Sequence, residues 1–195
     1  MNNPAQEPQG EPPATAGEWR VSTELHFCQV GVCAYGRQCV SGTGNLSAKI
    51  LVVGEAPGAY ELKYGRPFVG RSGQLLDSIL ETVGLQRDDL YITNTCGCVV
   101  LSRDDRRPLP AELDACRPRL LQEVDMVEPM VCLLMGNTAL AHWFPGWRIG
   151  QVYNKARAVG GIVYIPTYHP AAALRNPQLV PVITEALGTA RRLCT

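Results

Sequence analysis

Four short apolar runs, each closed by a turn or polar residue, constrain this chain more than any other feature. Ile50-Leu51-Val52-Val53 ends at Gly54, and Leu90-Tyr91-Ile92 ends at Thr93-Asn94. The run from Met130 to Met135 ends at Gly136, and Gly161-Ile162-Val163-Tyr164-Ile165 ends at Pro166. None alternates apolar with polar residues, so both faces of each strand need cover, as in a parallel sheet. Helical periodicity fills the gaps. Leu75, Leu76, Ile79, Leu80 and Val83 share a stripe over 73–83, and Leu113, Cys116, Leu120, Leu121 and Val124 share one over 110–127. A short helix is predicted over 137–143 and a final amphipathic helix over 179–193. Strand alternating with helix is the α/β pattern, with right-handed crossovers. Ligands in such sheets sit beyond the C-terminal strand ends, so the polar residues there carry the functional question.

The remaining composition bounds the answer. Residues 1–20 hold Pro4, Pro8, Pro12, Pro13 and Gly10 and few apolar groups, which predicts a disordered tail. Residues 21–195 are expected to form one globular domain. Eighteen cationic and 18 acidic side chains cancel, which excludes a uniformly basic surface but leaves room for a local basic patch. Only Lys49, Lys63 and Lys155 are lysines, so an anion-binding surface must be built mostly from Arg, whose planar fork suits phosphate. No apolar run nears the ~20 residues a bilayer span needs. No basic-then-apolar leader opens the chain, so an intracellular location is expected, without membrane association.

Three strand ends stand out. After the first, Gly54-Glu55-Ala56-Pro57-Gly58 lets backbone N–H groups approach a ligand, and Glu55 could orient a water or stabilise a cation. The bland reading is an ordinary Gly/Pro turn. Phe68, between Gly65 and Gly70, is either a core ring or a stacking platform for a planar ligand. Asn94 ends the second strand; it either caps a turn or offers a donor and an acceptor to a ring with adjacent C=O and N–H groups. The last strand leads into Tyr168-His169-Pro170, a turn at the ligand-binding edge. Beyond it, Leu174 could wedge between stacked bases while Arg175 holds phosphate.

In a reducing compartment the eight cysteines are expected to stay out of disulfides. Cys28 and Cys33 form one loose pair, and Cys98 and Cys116 another, which suits a four-thiolate site joining two parts of the chain. Spacing alone does not separate zinc from iron–sulfur. Buried free thiols are the alternative; Cys132 and Cys194 fit it, while Cys39 and Cys96 are spare ligand candidates. Arg103, Arg106 and Arg107 lie in the loop 99–115, either as solvated charge or as phosphate contacts.

Taken together, GEAPG at 54–58, GRPFVGRSGQLLD at 65–77, YITN at 91–94, Cys98, ACRP at 115–118 and HPAAALR at 169–175 resemble the family 4, iron–sulfur uracil-DNA glycosylases. The resemblance spans roughly residues 28–190, in order. It implies a three-layer α/β/α sandwich around a central parallel four-stranded sheet. It implies a DNA-repair hydrolase that flips uracil from DNA, cleaves its glycosidic bond and leaves an abasic site. Glu55 and His169 would be catalytic: Glu55 positions the water and His169 hydrogen-bonds the departing base. Gly54, Ala56, Pro57, Gly58, Glu61, Phe68 and Asn94 would bind the substrate, with Phe68 stacking on uracil, Asn94 reading its edge and Glu61 crowding C5 against thymine. Leu174, Arg175, Arg103, Arg106 and Arg107 would contact DNA. Cys28, Cys33, Cys98 and Cys116 would hold a [4Fe-4S] cluster. The expected partner is uracil-containing DNA, single- or double-stranded, bound by a monomer in the cytoplasm at the nucleoid.

This sequence departs from the family pattern in three places. Four residues, where two are usual, separate Cys28 from Cys33; Tyr60 stands at a commonly acidic position; and Ala171 replaces the usual Ser, removing one hydroxyl from phosphate contact. A related branch traps the sugar through a His in the loop 99–115. None occurs here, so hydrolysis with turnover is expected. The competing readings are a DNA- or uracil-binding module without activity, and a structural zinc protein.

Overall fold

The computed structural model describes residues 39–98 and 107–195. The expected tail over 1–20, together with Cys28, Cys33, Arg103 and Arg106, lies outside the described residues.

Six strands form one sheet: β1 (Thr43–Gly44), β2 (Ile50–Gly54), β3 (Leu90–Asn94), β4 (Val131–Met135), β5 (Arg157–Val159) and β6 (Ile162–Thr167). Their order is β1-β3-β2-β4-β6-β5. The inner four, β3-β2-β4-β6, are parallel and are the four apolar runs of the sequence. β1 and β5 add antiparallel edges, so the sheet is mixed and wider than the four parallel strands expected. Neither edge strand has an apolar run: one is Thr-Gly, the other Arg-Ala-Val. An edge with one face in solvent does not demand one.

Seven α-helices, α1 (Ala59–Tyr64), α2 (Arg71–Thr82), α3 (Pro110–Val127), α4 (Asn137–Trp143), α5 (Ile149–Val152), α6 (Pro170–Ala173) and α7 (Val180–Cys194), and two 3₁₀ turns, Arg87–Asp89 and Pro177–Leu179, complete the described chain. Alternate strand residues feed two cores. Ile50, Val52, Ile92, Leu133 and Ile165 pack on one face against Leu76, Ile79 and Leu80 of α2 and Ile183 and Leu187 of α7. Leu51, Val53, Cys132, Leu134 and Tyr164 pack on the other against Leu120 of α3, Leu140 of α4 and Ile149 of α5. Helices on both faces make the three-layer α/β/α sandwich. Every residue of β2, β3 and β4 is buried, which is why those segments read as unbroken apolar runs. No helix among the described residues is long and apolar enough to cross a membrane.

The path of the chain fixes where a ligand can sit. From β2 it moves to β3 on one side, then returns to β4 on the other. The strand order therefore reverses between β2 and β4, and a crevice opens beyond their C-terminal ends.

Candidate active site

Gly54, the last residue of β2, pairs in register with Asn94, the last of β3. A Cβ on Gly54 would lie 2.4 Å from Asn94 Oδ1 and 2.6 Å from Phe68 Cζ. Only glycine lets the amide and the ring close over this strand end. Phe68 in turn stacks on His169, with centroids 5.2 Å apart and planes at 24°. The pairing of Met135 with Thr167 carries the segment after β6 alongside the end of β4, and a Cβ on Gly136 would lie 3.3 Å from the His169 Cβ. Asn94, Phe68 and His169 thus converge around Gly54.

Glu55 follows directly. The Thr138 hydroxyl, at the start of α4 beyond β4, donates to its Oε2. This contact spans the β2–β4 boundary where the strand order reverses. The Glu55 backbone carbonyl accepts from Cys96 N–H at 2.9 Å, so the loop is also tied to the segment after β3.

Glu61 projects from α1 and is buried. Its Oε2 accepts from Gly58 N–H at 3.0 Å, and its Oε1 from Val69 N–H at 3.1 Å and Gly70 N–H at 2.9 Å. One carboxylate thereby fastens the 54–58 loop to the segment that carries Phe68. Phe68 has a φ of 54°, a left-handed conformation that costs an L-residue about 1–2 kcal/mol. Arg87 holds it there from the other side. Its guanidinium donates to the carbonyls of Pro67 and Phe68 and pairs with Asp77 of α2 at 2.6 Å. Gly73 leaves space for this turn; a Cβ there would overlap the Phe68 carbonyl.

His169 caps the short α6, its Nδ1 accepting from Ala171 N–H at 3.1 Å. Nδ1 therefore carries no proton, and in the neutral ring Nε2–H is the donor. Burial pushes the pKa down to about 4; the Glu61 carboxylate opposes this and Arg175 adds to it. The imidazole is neutral at physiological pH. Leu174 follows α6 and is 40% exposed, with Arg175 exposed beside it. Beyond the turn expected at 168–170, Pro170 at the first helical position starts a short helix. Pro57 is buried, Ala56 half-buried, and Arg107 exposed.

Ala56 also packs against Cys96, Cys98 and Cys116, a small cluster of its own. Cys96 Sγ lies 3.7 Å from Cys116 Sγ, and Gly97 N–H points at Cys116 Sγ at 3.4 Å. Cys39 bridges to Cys98 in antiparallel fashion. Hydrogen bonds from Cys96 and Cys98 push the Cys116 thiol well down; the Gly97 N–H and the Arg119 guanidinium add to this. Four thiols of the described chain therefore gather where two were expected. No group of three or more His, Cys, Asp or Glu among the described residues forms a metal-binding arrangement. The donor chemistry nevertheless fits a sulfur-bound group of negative charge. A Cβ on Gly97 would lie 2.7 Å from Cys39 Sγ and 2.9 Å from Arg119 Nε, which is buried without a hydrogen-bond partner.

Arg119 and Glu123 escaped the sequence reading, which took the face of α3 for an apolar stripe. Both are buried and paired at 2.7 Å. Arg119 Nη2 donates to the Asn94 carbonyl at 2.5 Å, while Glu123 accepts from Thr93 Oγ1 at 2.5 Å and Gly42 N–H at 2.9 Å. This network supports Asn94 from behind and links it to the cysteine cluster. Thr138 and Arg87 were also missed; a lone Thr in a helix and a lone Arg in a turn carry no local signal.

Residues 41–188 match the uracil DNA glycosylase superfamily. The chain belongs to that superfamily. It is 40% identical over 140 residues to a type-4 uracil-DNA glycosylase of Thermotoga maritima, covering 70% of this chain and 72% of that one. A type-4 uracil-DNA glycosylase of Sulfurisphaera tokodaii is 37% identical over 166 residues, 79% of this chain and 74% of its own. A type-5 uracil-DNA glycosylase of Pyrobaculum aerophilum is 29% identical over 175 residues, 78% of this chain and 74% of its own.

Proposed function

We infer that this protein is a DNA-repair glycosylase that hydrolyses the bond between uracil and deoxyribose, releasing uracil and leaving an abasic site. The observation that carries the reading is the convergence of Glu55, Asn94, Phe68 and His169 on the β2–β4 switch point of a superfamily member.

A base inside a duplex is out of reach of these groups, so the uridine must leave the stack, at a few kcal/mol, least at a mismatch or in a single strand. Leu174 fills the gap it leaves and Arg175 grips the backbone, with Arg103, Arg106 and Arg107 adding phosphate contacts. Uracil lies on Phe68 within the 54–58 loop. Asn94 donates to O4 and accepts from N3–H; cytosine presents the reverse pattern and would leave both groups unpaired. A site of this kind can reject the wrong ligand by about 10⁴–10⁵-fold. Glu61, immobilised by three backbone N–H groups, forms a rigid wall beside C5, where thymine carries its methyl.

As the C1′–N1 bond lengthens, negative charge grows on uracil O2 and the sugar becomes cationic. His169 Nε2–H donates to O2. A neutral donor is suited to stabilising an anion without protonating it. Glu55, oriented by Thr138, holds the attacking water and faces the developing cation. Water adds at C1′ and gives its proton to Glu55, the C1′–N1 electron pair leaves with the uracil anion, and uracil and the abasic strand dissociate.

Cys98 and Cys116, with Cys28 and Cys33, would hold a [4Fe-4S] cluster whose contribution is structural, tying the start of the domain to the base of the DNA-contacting loop. Cys39 and Cys96, gathered beside Cys98 and Cys116, are the alternative ligands. The protein acts on uracil-containing DNA as a monomer, in the cytoplasm at the nucleoid, with one domain running from about residue 21.

The test is incubation with a uracil-containing oligonucleotide followed by alkali. Strand breakage at the uracil position is expected. Intact strands would reduce the protein to a binding module.

A further inference from the structure

The outer face of α1 has no role in the chemistry above. Tyr60 and Tyr64 are 60% and 57% exposed, the most exposed large hydrophobic side chains among the described residues. They are one helical turn apart and so share a face. Lys63 lies between them in sequence, its ammonium 5.4 Å from the Tyr64 ring centroid, and Arg66 follows two residues later, also exposed. The only carboxylate of α1, Glu61, is turned inward onto the backbone of Gly58, Val69 and Gly70. The exposed face is thus purely aromatic and cationic. It is continuous with the base site, because the same helix begins at the 54–58 loop and leads to Phe68.

We propose that this face is a platform for unpaired DNA, with Tyr60 and Tyr64 stacking on bases beside the flipped uracil while Lys63 and Arg66 hold their phosphates. This deepens the glycosylase reading and rests on it for the position of the uracil. Rings and cations interleaved in this way match a single strand, whose bases expose their faces. In a duplex those faces are covered by neighbouring pairs, so the platform favours single-stranded or locally melted substrate.

The experiment measures the Kd of the full chain for a uracil-free single strand and for the matching duplex by fluorescence anisotropy. Replacing Tyr60 and Tyr64 together by Ala is expected to raise the single-strand Kd by about 10- to 100-fold, and the duplex Kd by less than about twofold. Tyr60→Phe with Tyr64→Phe keeps the rings and should bind like the parent. Lys63→Glu is expected to weaken single-strand binding and flatten its salt dependence. Unchanged single-strand binding in the Ala variant, or equal weakening on both substrates, would overturn the platform. If the parent binds single strands through these rings yet releases no uracil, the platform stands and the glycosylase reading falls.

Discussion

Glu61→Gln separates a structural clasp from a passive surface acid. The carboxylate receives three backbone N–H groups, two on Oε1 and one on Oε2. Glutamine can keep its oxygen toward Val69 and Gly70, but its NH₂ then faces the Gly58 N–H. One charge-assisted bond is lost and two donors are opposed, at about 1.5–3 kcal/mol. Alanine removes all three bonds, and roughly 3–5 kcal/mol is expected because water reaches only part of the gap. A chain of this size shifts by roughly 2–4 °C per kcal/mol. Thermal unfolding should therefore fall by about 3–12 °C for Gln and further for Ala. Because the same bonds position the 54–58 loop against Phe68, KM for a uracil oligonucleotide should rise by about tenfold while kcat changes less. A Gln variant melting within a degree of the parent with the same KM would refute the clasp.

Replacing His169 by Ala removes the donor to the leaving base; the single-turnover rate should drop by about 10²–10³-fold, and an unchanged rate would strip the residue of its role. The folded imidazole is held near 4 while an unfolded one titrates near 6.5, so its penalty on stability is absent above pH 6.5 and grows as pH falls toward 4, at about 1.4 kcal/mol per unit. Buried His142, pushed down to about 4 chiefly by burial, adds in the same direction, so melting temperatures should decline from pH 6.5 downward. The His169→Ala variant should show a shallower decline; an identical slope would contradict the assignment. Thr138→Val leaves Glu55 without its hydroxyl donor and should lower kcat about tenfold at constant KM, with Thr138→Ser restoring most of it. Protein purified without oxygen should be brown and contain iron that Cys116→Ser loses and Cys132→Ser retains; a colourless protein with stoichiometric zinc would refute the iron–sulfur proposal.

The inner sheet was legible because β2, β3 and β4 are buried on both faces, and burial on that scale leaves no choice but apolar residues. β1 and β5 were not, because an edge strand can be built from Thr-Gly or Arg-Ala-Val. The site residues at strand ends were visible as polar residues where a core segment stops. Their supports were not. Arg119 and Glu123 look like a solvated i, i+4 pair on a helix surface, and only the tertiary fold buries them behind Asn94. Glu61 was expected only through the family resemblance, as the acid beside C5, and nothing local announces that it collects three amides from two loops. Arg87 reaches back 19 residues to the Phe68 carbonyl, a contact that no periodicity encodes.

The most direct measurement is a crystal of the protein soaked with free uracil. The ring should stack on Phe68 with O4 and N3–H on the Asn94 amide, O2 toward His169 Nε2 and the N1 edge open to Glu55. Uracil bound elsewhere, or bound here without contact to Phe68, Asn94 and His169, would contradict the account.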